Sequence, residues 1–197
     1  TGSRLISGNH ELFTTLENKA KNILNAESAL YFNSGYDANI GLLSAILKSK
    51  DVIFYDELCH ASIRDGLQMS PAKDYKFKHN DYQDLIHKVE TQKKRLNPQN
   101  IYIITESVFS MDGDMSDVLQ LVNISKDVGA YLIIDEAHAL GVCGKYYKGL
   151  SYEYSENIFA RIYTCGKSLG THGGFVLGSK KLKEYLINFS RPFIYTT

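Results

Sequence analysis

Short apolar, β-rich runs alternate with segments of helical periodicity along this chain of 197 residues. Several of the runs are almost continuous in apolar residues, which is typical of strands that are covered on both faces. Between them, apolar residues recur at the spacing of one helix face. The alternation predicts an α/β fold with a doubly wound, mostly parallel sheet, and the length suits one domain or one large part of a bigger protein.

Seven strands and four helices are predicted from these patterns. The strands are Ala29–Phe32, Val52–Tyr55, Tyr75–Lys78, Ile101–Thr105, Tyr131–Ile134, Ile162–Cys165 and Phe175–Leu177. The helices are Ala38–Leu47, Tyr82–Leu96, Val118–Val128 and Leu182–Phe189. Asp81 and Ser116 stand just before two of these helices, and we expect both to act as N-caps because their side-chain oxygens can accept from free backbone amides.

Charge and cysteine content exclude several classes of protein. Lys plus Arg number 22 and Asp plus Glu number 22, giving a net charge of +0, whereas nucleic-acid-binding domains usually carry a basic excess. Cys59, Cys143 and Cys165 are widely spaced, which favours neither a disulfide framework nor a metal site and indicates a reducing, cytoplasmic location. The apolar runs are too short to span a membrane, and no signal peptide is visible, so neither a nucleic acid nor a membrane is an expected partner.

Two short motifs suggest a nucleotide-hydrolysing enzyme, but their spacing argues against one. Residues 135–138 read DEAH, as in helicase-type ATPases, and residues 166–168 read GKS, as at the end of a P-loop. A P-loop needs another glycine five residues before its second glycine, so that backbone amides can surround the phosphates, and Arg161 holds that position. The order of the two motifs is also reversed, since the carboxylate motif normally follows the P-loop.

Two reactive side chains follow predicted strands, at the sheet edge where open α/β folds bind ligands. Asp135 closes the run Tyr131–Ile134, and Lys167 comes just after Ile162–Cys165. A carboxylate leaving an apolar strand is costly unless it faces a cation. Such a pair suits pyridoxal 5'-phosphate (PLP), with the lysine forming a Schiff base and the acid keeping the pyridine nitrogen protonated. From spacing alone, a structural Asp–Lys ion pair is the simpler interpretation.

Five short segments, taken in their order along the chain, favour the PLP site over the structural ion pair. They are residues 34–39 (SGYDAN), 56–62 (DELCHAS), 106–114 (ESVFSMDGD), 135–138 (DEAH) and 164–167 (TCGK). Together they resemble the α-oxoamine synthases, which are fold-type I PLP enzymes, and the resemblance extends over essentially the whole chain. It implies that residues 1–197 are the large PLP-binding domain of an aspartate aminotransferase-like enzyme, without the C-terminal small domain of a complete member.

The resemblance implies roles for individual residues. Lys167 would carry PLP covalently and later move the α-proton of the substrate, while Asp135 would pair with the pyridine nitrogen. His138 would hydrogen-bond the phenolic oxygen of PLP, and His60 would stack on its ring. The other residues implied to bind the cofactor are Ser34, Gly35, Tyr36, Ser110, Thr164 and Thr196.

The phosphate of the cofactor would be held where a strand gives way to a helix. Backbone amides of residues 34–36, together with the helix dipole, favour an anion there, although a plain βα turn has the same appearance. The hydroxyl of Thr164 would point towards the same phosphate, and that of Ser110 would lie near the cofactor. Thr196 would reach the phosphate of a partner subunit, because the resemblance implies a homodimer with shared active sites.

The implied reaction is a decarboxylative condensation of an amino acid with an acyl thioester. Residues 3–10, 166–174 and 191–196 look most like the 8-amino-7-oxononanoate synthase branch, which joins L-alanine to pimeloyl-CoA or a pimeloyl-carrier protein in biotin biosynthesis. A glycine C-acetyltransferase (2-amino-3-ketobutyrate CoA ligase) and a serine palmitoyltransferase-like member are the alternatives within the family. A non-catalytic, truncated scaffold is the alternative of another class.

Overall fold

Seven strands form one mixed sheet in the computed structural model, which describes residues 2–197. In chain order they are β1 (Ser28–Phe32), β2 (Val52–Asp56), β3 (Lys73–Phe77), β4 (Ile101–Glu106), β5 (Tyr131–Asp135), β6 (Ala160–Thr164) and β7 (Gly174–Gly178). Across the sheet the order is β1-β7-β6-β5-β4-β2-β3. Strand β7 runs antiparallel to β1 and β6, and all other neighbours are parallel. The predicted fold class and the seven predicted strands are confirmed, with ends shifted by one or two residues.

Helices cover both faces of the sheet. Within residues 2–197 the α-helices are α1 (Glu11–Ile23), α2 (Gly35–Ile46), α3 (Ala61–Gln68), α4 (Tyr82–Leu96), α5 (Val118–Val128), α6 (Lys180–Phe189) and α7 (Arg191–Ile194). A π-helical turn (Arg4–Gly8) and two 3-10 segments (Lys145–Tyr147 and Tyr152–Asn157) complete the regular structure. The four predicted helices correspond to α2, α4, α5 and α6, whereas α1, α3 and α7 were not predicted.

One of the two predicted N-caps is confirmed and the other is wrong. The carboxylate of Asp81 accepts hydrogen bonds from the first-turn amides of α4. Helix α5 is instead capped by Asp117, which accepts from the amide of Gln120 at 2.9 Å. Ser116 is buried, and its hydroxyl donates to the backbone carbonyl of Glu106 at 2.8 Å, so it ties the chain to the end of β4 rather than to the helix.

Neighbouring residues of the central strands enter two different cores. Ile53, Ile104 and Ile133 pack with the side chains of α2, α3 and α6 on one face. The residues beside them in sequence, Phe54, Ile103 and Ile134, pack with α4 and α5 on the other face. Each fully buried side chain of this size stabilises the fold by about 1.5–3 kcal/mol. Burial on both faces explains the near-continuous apolar runs and fixes the strand ends rigidly.

The cysteines are free thiols, with Cys59 and Cys165 buried. Within residues 2–197, no helix combines the length and the apolar character that a membrane crossing requires.

Candidate active site

One edge of the sheet collects the carboxyl ends of six strands, because only β7 runs in the reverse direction. A cleft of about 200 Å³ opens there between the segments that follow β1, β2, β4, β5 and β6. It is lined by Ser34, Gly35, Tyr36, Asn39, His60, Ser62, Glu106, Asp135, Ala137, Thr164 and Lys167. Seven of the ten residues predicted to form a cofactor site therefore lie in one cleft, at the place where α/β sheets bind ligands.

A larger groove, of about 540 Å³, lies at the opposite edge of the sheet around Asn25 and Arg161. The guanidinium of Arg161 is buried there and donates to the carbonyl oxygens of Leu24 and Asn25 at 2.8 and 2.7 Å. These hydrogen bonds satisfy carbonyl groups at the C-terminal end of α1, so Arg161 has a structural role. The smaller cleft is the one that brings together reactive groups.

Asp135 is the last residue of β5 and is 4% exposed. Its Oδ2 atom accepts a hydrogen bond from Asn39 Nδ2 at 2.7 Å, and its Oδ1 atom accepts one from the amide of Ala137 at 2.9 Å. These donors offset part of the cost of burying the carboxylate. Each oxygen retains acceptor capacity that a cationic ring N–H could use.

A continuous chain of hydrogen bonds connects Asp135 to His60. Asn39 lies on α2, and its Nδ2 also donates to the hydroxyl of Ser62 at 3.0 Å. The Nδ1 atom of His60 lies 2.8 Å from that hydroxyl and accepts from the amide of Ser62, so His60 caps α3. The ring of Tyr36 meets the imidazole edge-on at 6.4 Å between centroids. The imidazole is thereby held at the rim of the cleft.

Glu106 places a second carboxyl group beside Asp135. It ends β4, is in register with Asp135 across the β4–β5 pair, and is 3% exposed. Its Oε1 atom accepts from the backbone amide of His60 at 2.6 Å. Burial, with the negative charge of Asp135 as the next contribution, raises the pKa of Glu106 to about 7. Two neighbouring strand ends thus present a pair of adjacent carboxyl groups to the cleft.

Three residues of this network were not predicted: Asn39, Ser62 and Glu106. All three lie inside the segments that carry the family resemblance. Glu106 could have been found, because it closes the apolar strand β4 in the same way as Asp135 closes β5. Asn39 and Ser62 carry no comparable signal, since the network depends on the contact between them and on the contact of Asn39 with Asp135, both of which join segments that are distant in sequence.

Lys167 enters the cleft from the loop between β6 and β7. The residue as a whole is exposed, but it lines the cleft, and its amine contacts Nε2 of His138. Partial burial lowers the pKa of Lys167, and the negative charges of Asp135 and Glu106 act in the opposite direction. The pKa of His138 is lowered by burial and by the positive charge of Lys167, so its imidazole is suited to accept a hydrogen bond from the amine. A lysine with a lowered pKa is an activated nucleophile and base.

The start of α2 forms the anion-binding side of the cleft. Ser34 caps this helix by accepting from the amide of Asp37 at 3.0 Å. The amides of Gly35 and Tyr36 lie in the first turn, where backbone N–H groups have no intrahelical acceptor. A Cβ atom on Gly35 would lie 3.0 Å from Cβ of Thr164. The glycine therefore permits the threonine hydroxyl to approach the helix terminus.

Three predicted residues do not line this cleft. His138 contacts the amine of Lys167, which does line it. The other two are Ser110 and Thr196. Ser110 is exposed in the loop that follows β4 and is not part of the cleft lining. Thr196 follows α7, where its hydroxyl accepts from Asn33 Nδ2 at 2.7 Å beside a separate cavity of about 60 Å³. The role assigned to Thr196 requires a second chain, and both assignments stay predictions.

The remaining acid of the DEAH sequence has a structural use. Glu136 is fully buried, and its carboxylate accepts from the Ser107 hydroxyl at 2.6 Å and from the amides of Leu150 and Ser151 at 3.2 and 2.6 Å. Its oxygens are therefore engaged in fixing the 149–151 loop. This arrangement agrees with the sequence argument against a nucleotide-hydrolysing site.

The groups of the cleft fit the chemistry of PLP on three sides. Asp135 offers an anion for the ring nitrogen, Lys167 offers an amine for the aldehyde, and the start of α2 with Thr164 offers donors for the phosphate. The space that a Cβ atom on Gly35 would fill lies between the start of α2 and Thr164.

A family model and several known proteins match the whole length of this chain. The family model described as aminotransferase class I and II matches residues 1–197. A protein of Methanococcus vannielii named "Putative 8-amino-7-oxononanoate synthase" is 44% identical over 200 residues, which cover 100% of this chain and 53% of that protein.

Two solved structures superpose on the whole chain. A serine palmitoyltransferase from S. paucimobilis with a bound PLP–myriocin aldimine has a TM-score of 0.93 at 30% identity, covering 100% of this chain and 49% of that one. An 8-amino-7-oxononanoate synthase from Francisella tularensis has a TM-score of 0.80 at 31% identity, covering 100% and 55%. The chain thus spans about half the length of the proteins that it matches.

Proposed function

The chain belongs to the aminotransferase class I and II family, and on that basis we propose that it is the PLP-binding core of an α-oxoamine synthase. Such an enzyme condenses an amino acid with an acyl thioester and releases carbon dioxide. The observation that carries the proposal is the meeting of Asp135, Lys167 and the start of α2 in one cleft. The likeness of the whole chain to serine palmitoyltransferase and 8-amino-7-oxononanoate synthase supports it.

The chain's own residues divide the work between binding and proton transfer. PLP, when bound, supplies a cationic ring that draws electrons away from the α-carbon of an amino acid. Asp135 holds the proton at the ring nitrogen, and the first turn of α2 with Thr164 binds the phosphate. Lys167 takes the α-proton, which requires a neutral amine, and its lowered pKa increases the neutral fraction at physiological pH. His138 orients the amine, and His60 covers one face of the ring.

L-alanine and a pimeloyl thioester are the substrates that the sequence relationship favours. Curated relatives named "Putative 8-amino-7-oxononanoate synthase" are 40–44% identical, whereas the solved 8-amino-7-oxononanoate synthase and serine palmitoyltransferase are equally distant from this chain, at 31% and 30%. The backbone superposition favours the other branch, with TM-scores of 0.93 against 0.80. Backbone agreement reports the shared fold, whereas side chains select the acyl group, so we give more weight to the identity with the curated relatives. Serine with a fatty acyl thioester is the second candidate, and glycine with an acetyl thioester is the third.

Hydrogen exchange at the α-carbon tests the proposed function in its simplest step. We expect the PLP-loaded chain to exchange the α-proton of L-alanine for deuterium in heavy water, and Lys167→Ala to abolish the exchange. Lys180→Ala, a lysine outside the cleft at the start of α6, serves as the matched control and should exchange normally. A PLP-loaded wild-type chain that exchanges no α-proton would point to the non-catalytic scaffold.

A substrate panel then separates the branches. Pimeloyl, acetyl and palmitoyl thioesters are each offered with L-alanine, glycine and L-serine, and release of thiol and carbon dioxide is measured. Selective turnover of L-alanine with the pimeloyl thioester is the expected result. Preference for L-serine with the palmitoyl thioester would transfer the assignment to the serine palmitoyltransferase branch.

We further propose that the protein acts in the cytoplasm as a homodimer with shared active sites. Thr196 lies apart from the cleft of its own chain, as expected of a residue that serves a partner. Ile6, Leu12 and Ile23 are exposed and give the N-terminal region an apolar surface that suits a protein interface. Light scattering should report a dimer, and a monomer at working concentration would contradict this assembly.

A further inference from the structure

Glu106 is a buried acid for which the reaction described above has no use. It faces Asp135 from β5, Asp56 from β2, the amine of Lys167 from the β6–β7 loop, and the start of α3. Two of these neighbours are themselves carboxylates, so the site disfavours a further negative charge. An acid at such a place needs a reason that outweighs the cost of its burial.

The contact that Glu106 makes is with the backbone of His60. Its Oε1 atom accepts from the His60 amide at 2.6 Å, which is short for an N–H···O hydrogen bond. The preceding turn is held by Asp56, whose backbone and side-chain oxygens accept from Cys59 and Leu58. Glu106 extends this anchoring by one residue, to the point where the chain enters α3.

The imidazole of His60 is consequently held from two directions. Ser62 and Asn39 connect its side chain to Asp135, and Glu106 fixes its backbone. One route ends at Asp135 and the other at Glu106, which are the last residues of neighbouring strands and lie in register with each other. Because the sheet is rigid, this arrangement sets the distance between the imidazole and Asp135.

We propose that Glu106 is a positioning residue, whose carboxyl oxygen fixes His60 over the place where Asp135 receives the cofactor ring. The inference rests on the proposed function and adds to it a residue that touches neither the substrate nor the cofactor. Its action requires a hydrogen-bond acceptor at this position and does not require a negative charge.

Four variants test this inference: Glu106→Gln, Glu106→Ala, His60→Ala and the double variant Glu106→Ala/His60→Ala. The dissociation constant of PLP is measured by fluorescence. Glu106→Ala should weaken PLP binding by about two- to tenfold, the range expected for loss of a hydrogen bond between uncharged groups. Glu106→Gln retains the acceptor and should restore wild-type affinity. In the His60→Ala background, Glu106→Ala should have no further effect.

Amide hydrogen exchange provides a readout that needs no cofactor. Residues 58–63 should exchange faster in Glu106→Ala than in the wild type or in Glu106→Gln. Glu57→Ala is the matched control, because Glu57 lies in the same turn and accepts from His79 rather than from His60. It should leave both the exchange of residues 58–63 and the affinity for PLP unchanged.

Three results would overturn the inference. Equal weakening by Glu106→Gln and Glu106→Ala would assign the effect to charge, and additive effects in the double variant would show that Glu106 does not act through His60. Unchanged exchange of residues 58–63 in Glu106→Ala would show that the backbone is held by other contacts. Failure of the wild type to bind PLP would instead refute the proposed function, while the exchange measurement would still decide the positioning role.

Discussion

The raised pKa of Glu106 predicts how folding stability depends on pH. In the folded chain this pKa is about 7, because of burial and the neighbouring charge of Asp135, compared with 4.5 as the ordinary value. Between these two pH values the folded state binds more protons than the unfolded state, so stability falls as pH rises. The difference corresponds to about 3 kcal/mol, lost at up to about 1.4 kcal/mol per pH unit.

Replacing Glu106 by Gln removes this titration and keeps the shape of the side chain. The contribution of a carboxyl group with a raised pKa is fully present below the unfolded value and disappears as pH rises through the folded value. Wild type and Glu106→Gln should therefore have similar stability near pH 4.5. By pH 8 the variant should be the more stable protein by about 3 kcal/mol.

Urea unfolding of the cofactor-free chain, followed by circular dichroism across this pH range, measures the effect. The difference between wild type and variant cancels the contributions of titrating groups that do not interact with Glu106. Glu90→Gln, which changes an exposed carboxyl on α4, is the matched control and should leave the pH dependence unchanged. Parallel stability curves for wild type and Glu106→Gln would refute the assignment of a raised pKa to this residue.

Further predictions concern three other groups. Although burial lowers it, hydrogen bonds to two aspartates raise the pKa of His79 overall, so its contribution to stability is present at acidic pH and is lost as pH rises through the raised value. His79→Gln should remove this part of the pH dependence in the same unfolding assay. Gly35→Ala should weaken PLP binding measured by fluorescence, since its Cβ would lie 3.0 Å from Cβ of Thr164 and would displace the threonine side chain from the start of α2. In the NMR spectrum of the 13C-methylated chain, Lys167 should titrate below exposed lysines because of burial, and Asp135→Asn should lower its pKa further by removing a favourable charge. A Lys167 signal that titrates with exposed lysines would contradict its placement in the cleft.

The sequence predicted the sheet well because burial on both faces leaves a strong local signal. Strands β4 and β5 are apolar almost without interruption and were recognised on that basis. Helix α1 escaped prediction because its buried positions are Glu17 and Ala20, which break the apolar pattern. Helix α3 has only eight residues, too few for a helical period to stand out.

The sequence predicted the site residues that lie at or just after a strand end and those to which the family resemblance assigns a role. Asp135 is the last residue of one strand and Lys167 comes soon after the end of another, so the sheet itself brings them to one edge. Asn39 reaches Asp135 across 96 residues of sequence, a contact that depends on how α2 packs on the sheet. The error at Ser116 has a similar origin, since tertiary burial directs its hydroxyl to β4 while the adjacent Asp117 caps the helix.

Borohydride reduction of the PLP-treated chain, followed by intact-mass analysis and peptide mapping, tests the central claim most directly. The account predicts one PLP adduct per chain, located on Lys167 and absent from a folded Lys167→Ala variant. A chain that forms no adduct, or forms it on a lysine outside the cleft, would contradict the claim that this lysine is the site of cofactor attachment.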